Sequence, residues 1–172
     1  FYVTPSIKRR EAFLRSFGAL LLIAGVEGAF AVTEEGFYIP QVHVAPLSER
    51  GDDPASIASM FLGTPYLWGG NSRDGMDCSG LVQAALLACG VACPGDSDLQ
   101  FADVGRSVSG DAPLRRNDLI FWKGHVALAL DAGRIIHANA AAMSVTIEGF
   151  EAAKARIEKA GGADVFLGVK RI

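Results

Sequence analysis

The sequence predicts an α+β fold. Two helical segments come first, at 53–63 and 78–90, and after Pro113 the pattern changes to short strands separated by Gly, Asp or Asn turns. Helices followed by a strand meander, with no internal repeat and no low-complexity tract, indicate helices packed on an antiparallel sheet. Half of the 172 residues are hydrophobic and a fifth are charged, enough apolar side chain for a real core.

From about residue 12 to residue 47 apolar runs alternate with glycine and no helical period persists. Strands are expected at 19–24, 29–33 and 36–40, forming a small barrel-like unit. Part of this region imitates an export signal: Lys8, Arg9 and Arg10 precede FGALLLIAGV, and Ala29-Phe30-Ala31 resembles a cleavage site. Arg15 and Glu27 bracket the run and Gly18, Gly25 and Gly28 punctuate it, so two short buried strands are expected instead. The run is too short to span a membrane.

SERGDD at 48–53 is a polar break and the expected linker between residues 1–50 and 51–172. A helix then starts with Asp53 as N-cap and Pro54 in the first helical position, and stops at Gly63. The next begins at Cys78, carries the apolar stripe Leu81, Val82, Ala85, Leu86 and Cys89, and ends at Gly90. DLIFW, HVALAL, RIIHA and SVTI read as successive strands, 151–160 as a helix with Glu early and Lys late, and FLGVKRI as a closing strand.

The net charge of −3 is spread without blocks, which excludes a nucleic-acid footprint of clustered Lys and Arg. Three cysteines, Cys78, Cys89 and Cys93, are too few and odd in number for a disulfide framework. Cys89 and Cys93 read as small buried thiols. No C-x-x-C or H-x-x-x-H pairing supports a zinc site, and Gly69-Gly70 lie in no phosphate-binding pattern. His43 reads as structural.

Cys78 stands where a helix begins. Free backbone N–H groups and the positive end of the dipole lower a thiol pKa there, and can stabilise an oxyanion on a carbonyl the sulfur attacks. Asp77 reads equally as the N-cap of that helix and as a carboxylate for a substrate ammonium. His125 and His137 fall on adjacent expected strands joined by the turn at 131–133. One can take the thiol proton while the other orients it. Trp68 reads as a wall of the cleft or core.

PYLWGG, then DCSGLVQ, then DLIFW-x-x-HVAL and IIHAN resemble, in that order, the NlpC/p60 cell-wall cysteine peptidases, papain-like domains of about this size. The resemblance runs over 53–172. EEGFYIPQVHVAPL resembles the closing strands of a bacterial SH3-like β-barrel, here incomplete at its start, and such modules often precede this catalytic domain. Carried over, the resemblance makes Cys78 the nucleophile, His125 the general base and His137 the third polar residue. Tyr66, Asp77 and Ser79 match positions that receive a free N-terminal L-Ala, and Ser97 a position near the D-Glu portion. Gly95 stands where members often carry Arg. Asn117 replaces the usual Gly before Asp118 and also accepts a left-handed turn.

The resemblance implies hydrolysis of the γ-D-glutamyl-L-diamino acid bond, to diaminopimelate or Lys, in peptidoglycan stem peptides or muropeptides. A monomer with no cofactor, metal, nucleic acid or membrane span is expected. A related amidase or acyltransferase, or a catalytically decayed wall-binding module, are the alternatives; the intact Cys and both His stand against decay. With the signal-like run assigned to strands, a cytoplasmic location is expected, although exported wall enzymes share the domain.

Overall fold

Short apolar runs broken by glycine fold, in the N-terminal part, as a three-stranded antiparallel sheet in the order β1 (Ile23–Glu27), β2 (Phe30–Thr33), β3 (Tyr38–Pro40). The structure, a computed structural model, describes residues 1–110 and 112–172. It divides into two units, Phe1–Arg50 and Gly51–Ile172.

In the first unit Tyr2 and Tyr38 exchange both backbone hydrogen bonds at 2.9 Å, so the N-terminal segment lies beside β3. Phe1 stacks on Phe13, which meets Phe37 edge-on. The expected pair of buried strands is corrected here. The first strand begins at Ile23 rather than residue 19, and every residue of β1 is exposed; only β2 buries Phe30, Ala31 and Thr33. The reason is tertiary: burial depends on what packs over a strand, and hydrophobicity alone does not show which strand gains a covered face.

In the second unit α1 (Pro54–Ser59) ends before Gly63, and the chain turns on through a small hairpin, β4 (Asn71–Ser72) and β5 (Gly75–Met76). Then come α2 (Cys78–Ala88), α3 (Ser97–Asp103) and β6 (Arg106–Ser107). The meander follows as β7 (Leu119–Trp122), β8 (His125–Ala129), β9 (Arg134–Asn139) and β10 (Ser144–Gly149). After α4 (Phe150–Gly161) the last strand, β11 (Phe166–Arg171), inserts between β7 and β6, giving the order β10-β9-β8-β7-β11-β6.

The period of two along the strands divides the sheet into two faces. Leu119, Phe121, Val126, Leu128, Ile136 and Ala138 pack with Leu81, Val82, Ala85 and Leu86 of α2. Ile120, Trp122, Ala127, Ala129 and Ile135 pack on the other side with Ala153 of α4. This three-layer α+β arrangement fixes where α2 begins relative to β8. Asn117 is left-handed at φ 72°, and its Oδ1 accepts the Ala55 N–H at 2.9 Å. Asp53 makes no side-chain cap of its own; it holds Arg116 at 2.6 Å instead. Among the described residues no helix is long and apolar enough to cross a membrane.

Candidate active site

The start of α2 is fastened by one carboxylate. Asp77 Oδ1 accepts the Gly80 N–H at 2.7 Å and the Ser79 hydroxyl at 3.1 Å, and Oδ2 accepts the Gly69 N–H at 2.8 Å. The loop before it closes on the helix because Gly80 has no side chain: a Cβ there would collide with the Gly70 carbonyl oxygen. Cys78 follows the cap and is buried.

The β8–β9 ladder stops at Leu128↔Ile136, short of the start of β8. There the Val126 backbone meets the Cys78 sulfur, as do the backbone groups of Ser79 and Cys78 itself. The thiol therefore lies against the residue that follows His125. His125 and His137 are diagonal neighbours on the α4 face of the sheet, with His125 Nε2 2.9 Å from His137 Nδ1. His137 is fully buried, and its Nε2 lies 3.1 Å from Glu148 Oε2 on β10. Glu148 in turn accepts from Arg156 of α4 at 2.6 Å. Trp122 flanks His125, ring centres 5.7 Å apart.

The electrostatics differ from what the helix terminus alone suggests. Burial pushes the Cys78 thiol up, and the nearby Asp77 charge adds to this; the Val126, Ser79 and Cys78 backbone groups pull the other way and lose. The expected lowered thiol pKa is thus corrected: burial outweighs the backbone groups that favour the thiolate. Burial likewise holds His125 and His137 below the ordinary histidine range, His137 and Arg156 pressing His125 further down. The Arg156 guanidinium holds the Glu148 carboxyl below its usual value. At neutral pH the Cys78 thiol is neutral and so are the two joined imidazoles, which a charged Glu148–Arg156 pair closes at the far end.

Tyr66 is half-buried, and its phenol is pushed up by burial and then by charge on Cys78 and Asp77, which places it beside both. Its backbone is pinned between β5 and the Met143 carbonyl. Ser79 is buried and engaged with Asp77. Ser97 heads α3, half-buried, and makes no hydrogen bond to Cys78, Asp77 or Ser79. One turn on, the buried Gln100 donates from Nε2 to the Ser79 carbonyl at 3.0 Å and to the Pro94 carbonyl at 2.9 Å, tying α3 to the start of α2. The structure thus gathers Cys78, Tyr66, Asp77 and Ser79 in one group and joins His125 to His137.

The sequence profile of the NlpC/P60 family matches residues 63–157, more than half of the chain. The chain belongs to the NlpC/P60 family. A Bacillus subtilis protein named gamma-D-glutamyl-L-lysine dipeptidyl-peptidase is 34% identical over 152 residues, 80% of this chain and 50% of its own length. The peptidoglycan endopeptidase RipB of Mycobacterium tuberculosis is 37% identical over 107 residues, 52% of this chain and 44% of its own. A crystal structure of an NlpC/P60 family protein from Bacillus cereus superposes with a TM-score of 0.74 at 26% identity, covering 99% of this chain and 59% of that one. The chain therefore spans half or less of the length of these two curated relatives.

Three NlpC/P60 site residues here escaped the sequence: Glu148, Arg156 and Gln100. Glu148 had a usable signal. In SVTIEG the alternation puts it on the face of Thr146, and Thr146 pairs directly with His137. Arg156 had none, since only the packing of α4 on the sheet brings it to Glu148. Gln100 is the one buried residue of a seven-residue helix that shows no apolar stripe.

Proposed function

We propose that residues 51–172 are a cysteine peptidase that hydrolyses the γ-D-glutamyl-L-diamino acid bond of peptidoglycan stem peptides, preferring a free N-terminal L-Ala. The observation that carries this is Cys78 at the start of α2, against the backbone of Val126, whose preceding residue His125 is joined to His137 at 2.9 Å. The names of the B. subtilis relative and of RipB support the same bond class and polymer. A dipeptidyl-peptidase releases an N-terminal dipeptide, which fits L-Ala-γ-D-Glu leaving ahead of the diamino acid.

A neutral thiol beside a neutral imidazole favours proton transfer concerted with attack. Cys78 Sγ bonds to the γ-carbonyl carbon of D-Glu while its proton passes to His125. The oxyanion takes hydrogen bonds from backbone N–H groups at the start of α2. His125 protonates the departing amine, leaving a thioester on Cys78. It then takes a proton from water as the hydroxyl adds to the thioester, and returns that proton to the sulfur. Tyr66, Asp77 and Ser79 surround the substrate amine, and Ser97 faces the D-Glu portion. By the same reading Phe1–Arg50 is an SH3-like module, supported by its three-strand meander and the Tyr-Ile-Pro step at β3.

The test is cleavage of L-Ala-γ-D-Glu-L-Lys and its diaminopimelate counterpart, with products identified by mass. The wild type should release L-Ala-D-Glu and the free diamino acid, and Cys78→Ala should be inactive with unchanged thermal unfolding. Undiminished turnover by Cys78→Ala, or cleavage of another bond, would end the proposal.

A further inference from the structure

We propose that Glu148, held by Arg156, is a positioning residue that fixes the tautomers of both histidines, so that His125 presents an unprotonated Nδ1. The argument needs only donor and acceptor counts. An ionised carboxylate accepts and never donates. Glu148 lies 3.1 Å from His137 Nε2, so that nitrogen carries the proton. A neutral imidazole has one N–H, so His137 Nδ1 is an acceptor. It lies 2.9 Å from His125 Nε2, which must therefore be the donor. His125 Nδ1 is then left with a free lone pair, the form a general base needs.

The direction of both bonds depends on Glu148 being ionised, and Arg156 secures that. Its guanidinium donates to Oε2 at 2.6 Å and to Oε1 at 3.3 Å, and holds the carboxyl below its usual range. His137 is fully buried, so the protein side chains alone settle its proton. Among the described residues, the charged or titratable groups that bear on the two rings are His125 from β8, His137 from β9, Glu148 from β10 and Arg156 from α4. Trp122 from β7 flanks His125 without charge, and Asp77 acts on Cys78 of α2. Once His125 has taken a proton it still donates from Nε2 to His137, so the same chain of bonds serves the imidazolium.

A neutral amide at 148 removes the one-way constraint. Glutamine can turn its NH2 to His137 Nε2 while its oxygen takes Arg156. His137 then carries its proton on Nδ1, His125 accepts at Nε2, and His125 Nδ1 is protonated and useless as a base. The kinetic consequence rests on the proposed peptidase activity; the tautomers do not.

The experiment is ¹⁵N–¹H spectroscopy of the histidine rings of the full chain near neutral pH, for wild type, Glu148→Gln and Glu148→Asp. Iodoacetamide labelling of Cys78 and tripeptide kinetics across pH are measured alongside. Both wild-type rings should be Nε2–H tautomers. Glu148→Gln should move protons to Nδ1, slow Cys78 labelling and lower kcat about 10–100-fold, the scale of losing an outer partner of a functional histidine, at unchanged KM. Glu148→Asp, which keeps the carboxylate, should restore the tautomers and most of the rate. A wild-type His137 protonated on Nδ1, Gln-variant tautomers and pH profile matching wild type, or an effect on KM alone would overturn the proposal. If the wild type cleaves neither tripeptide, the peptidase proposal fails, while the tautomer and labelling results still decide the role of Glu148.

Discussion

Asp77 caps the helix that opens at Cys78, its Oδ1 accepting the Gly80 N–H at 2.7 Å. The same carboxylate holds the Ser79 hydroxyl and the Gly69 N–H, so it locks both the helix start and the preceding loop. The cap and the proposed ammonium contact can be separated. Asp77→Ala should cost about 1–2 kcal/mol in urea unfolding, as lost N-caps do, whereas Asp77→Asn keeps the cap through its one oxygen, gives up the Gly69 bond because an NH2 cannot accept, and should cost less. If the charge also meets a substrate amine, Asp77→Asn should raise KM for a free-amine tripeptide and leave KM for its N-acetyl form unchanged. Equal KM for the free amine in Asp77→Asn and wild type would leave Asp77 as a cap only.

Gly80 is the second fixed point. A methyl group there meets the Gly70 carbonyl oxygen, which is backbone and itself accepts the Asp77 N–H at 2.9 Å. The loop can move away only by breaking that bond. Gly80→Ala should therefore destabilise the second unit by about 1–3 kcal/mol, the scale of overpacking, although alanine is the better helix former. Calorimetry showing a stabilised variant would mean that the loop yields freely.

The legible parts of this protein were those set by neighbours in sequence. The start of α2 could be read because a capping Asp and an apolar stripe lie within one segment. Strands β7 to β10 could be read because Gly, Asp or Asn turns bound each run. The parts that failed depend on distant partners. β1 and β2 are similarly apolar, yet only β2 is covered. The placement of β11 between β7 and β6 is a long-range pairing with no local mark. The helix-start argument pointed to a lowered thiol pKa because it counted the dipole and not the burial that packing against β8 imposes.

Asn117 tests whether a non-glycine turn residue was recruited for a second task. Its φ of 72° is easy for Gly, tolerable for Asn and strained for Ala. Its Oδ1 also takes the Ala55 N–H in the first turn of α1. Asn117→Gly should keep the turn and lose the bond, costing about 1 kcal/mol as a lost cap does. Asn117→Ala should lose the bond and add strain of about 1 kcal/mol or more. Denaturant midpoints in the order Asn, Gly, Ala are expected; Ala above Gly would show that the left-handed turn is not held.

His125 and His137, both held below the ordinary histidine range, set the acid side of the stability curve. In the unfolded chain both rings protonate as pH falls through about 6.5. In the folded protein burial lowers both, His125 to about 3, so His125 stays neutral well below that point and His137 protonates at a lower pH than in the unfolded chain. Between those limits the unfolded state binds more protons, and stability therefore rises with pH. It is highest above the unfolded value and is lost as pH falls from about 6.5 towards 3, at most about 1.4 kcal/mol per pH unit for each proton. Glu148 and Asp53, whose carboxyls Arg156 and Arg116 pull down, act in the same direction but begin lower, below the ordinary carboxylate values of 4.5 and 3.8. The interval from about 6.5 to 4.5 thus isolates the rings. Urea midpoints should fall across it in the wild type, and the slope should flatten in a His125→Gln, His137→Gln double variant. A wild-type midpoint that stays level or rises on acidification would mean that the rings are charged in the folded protein.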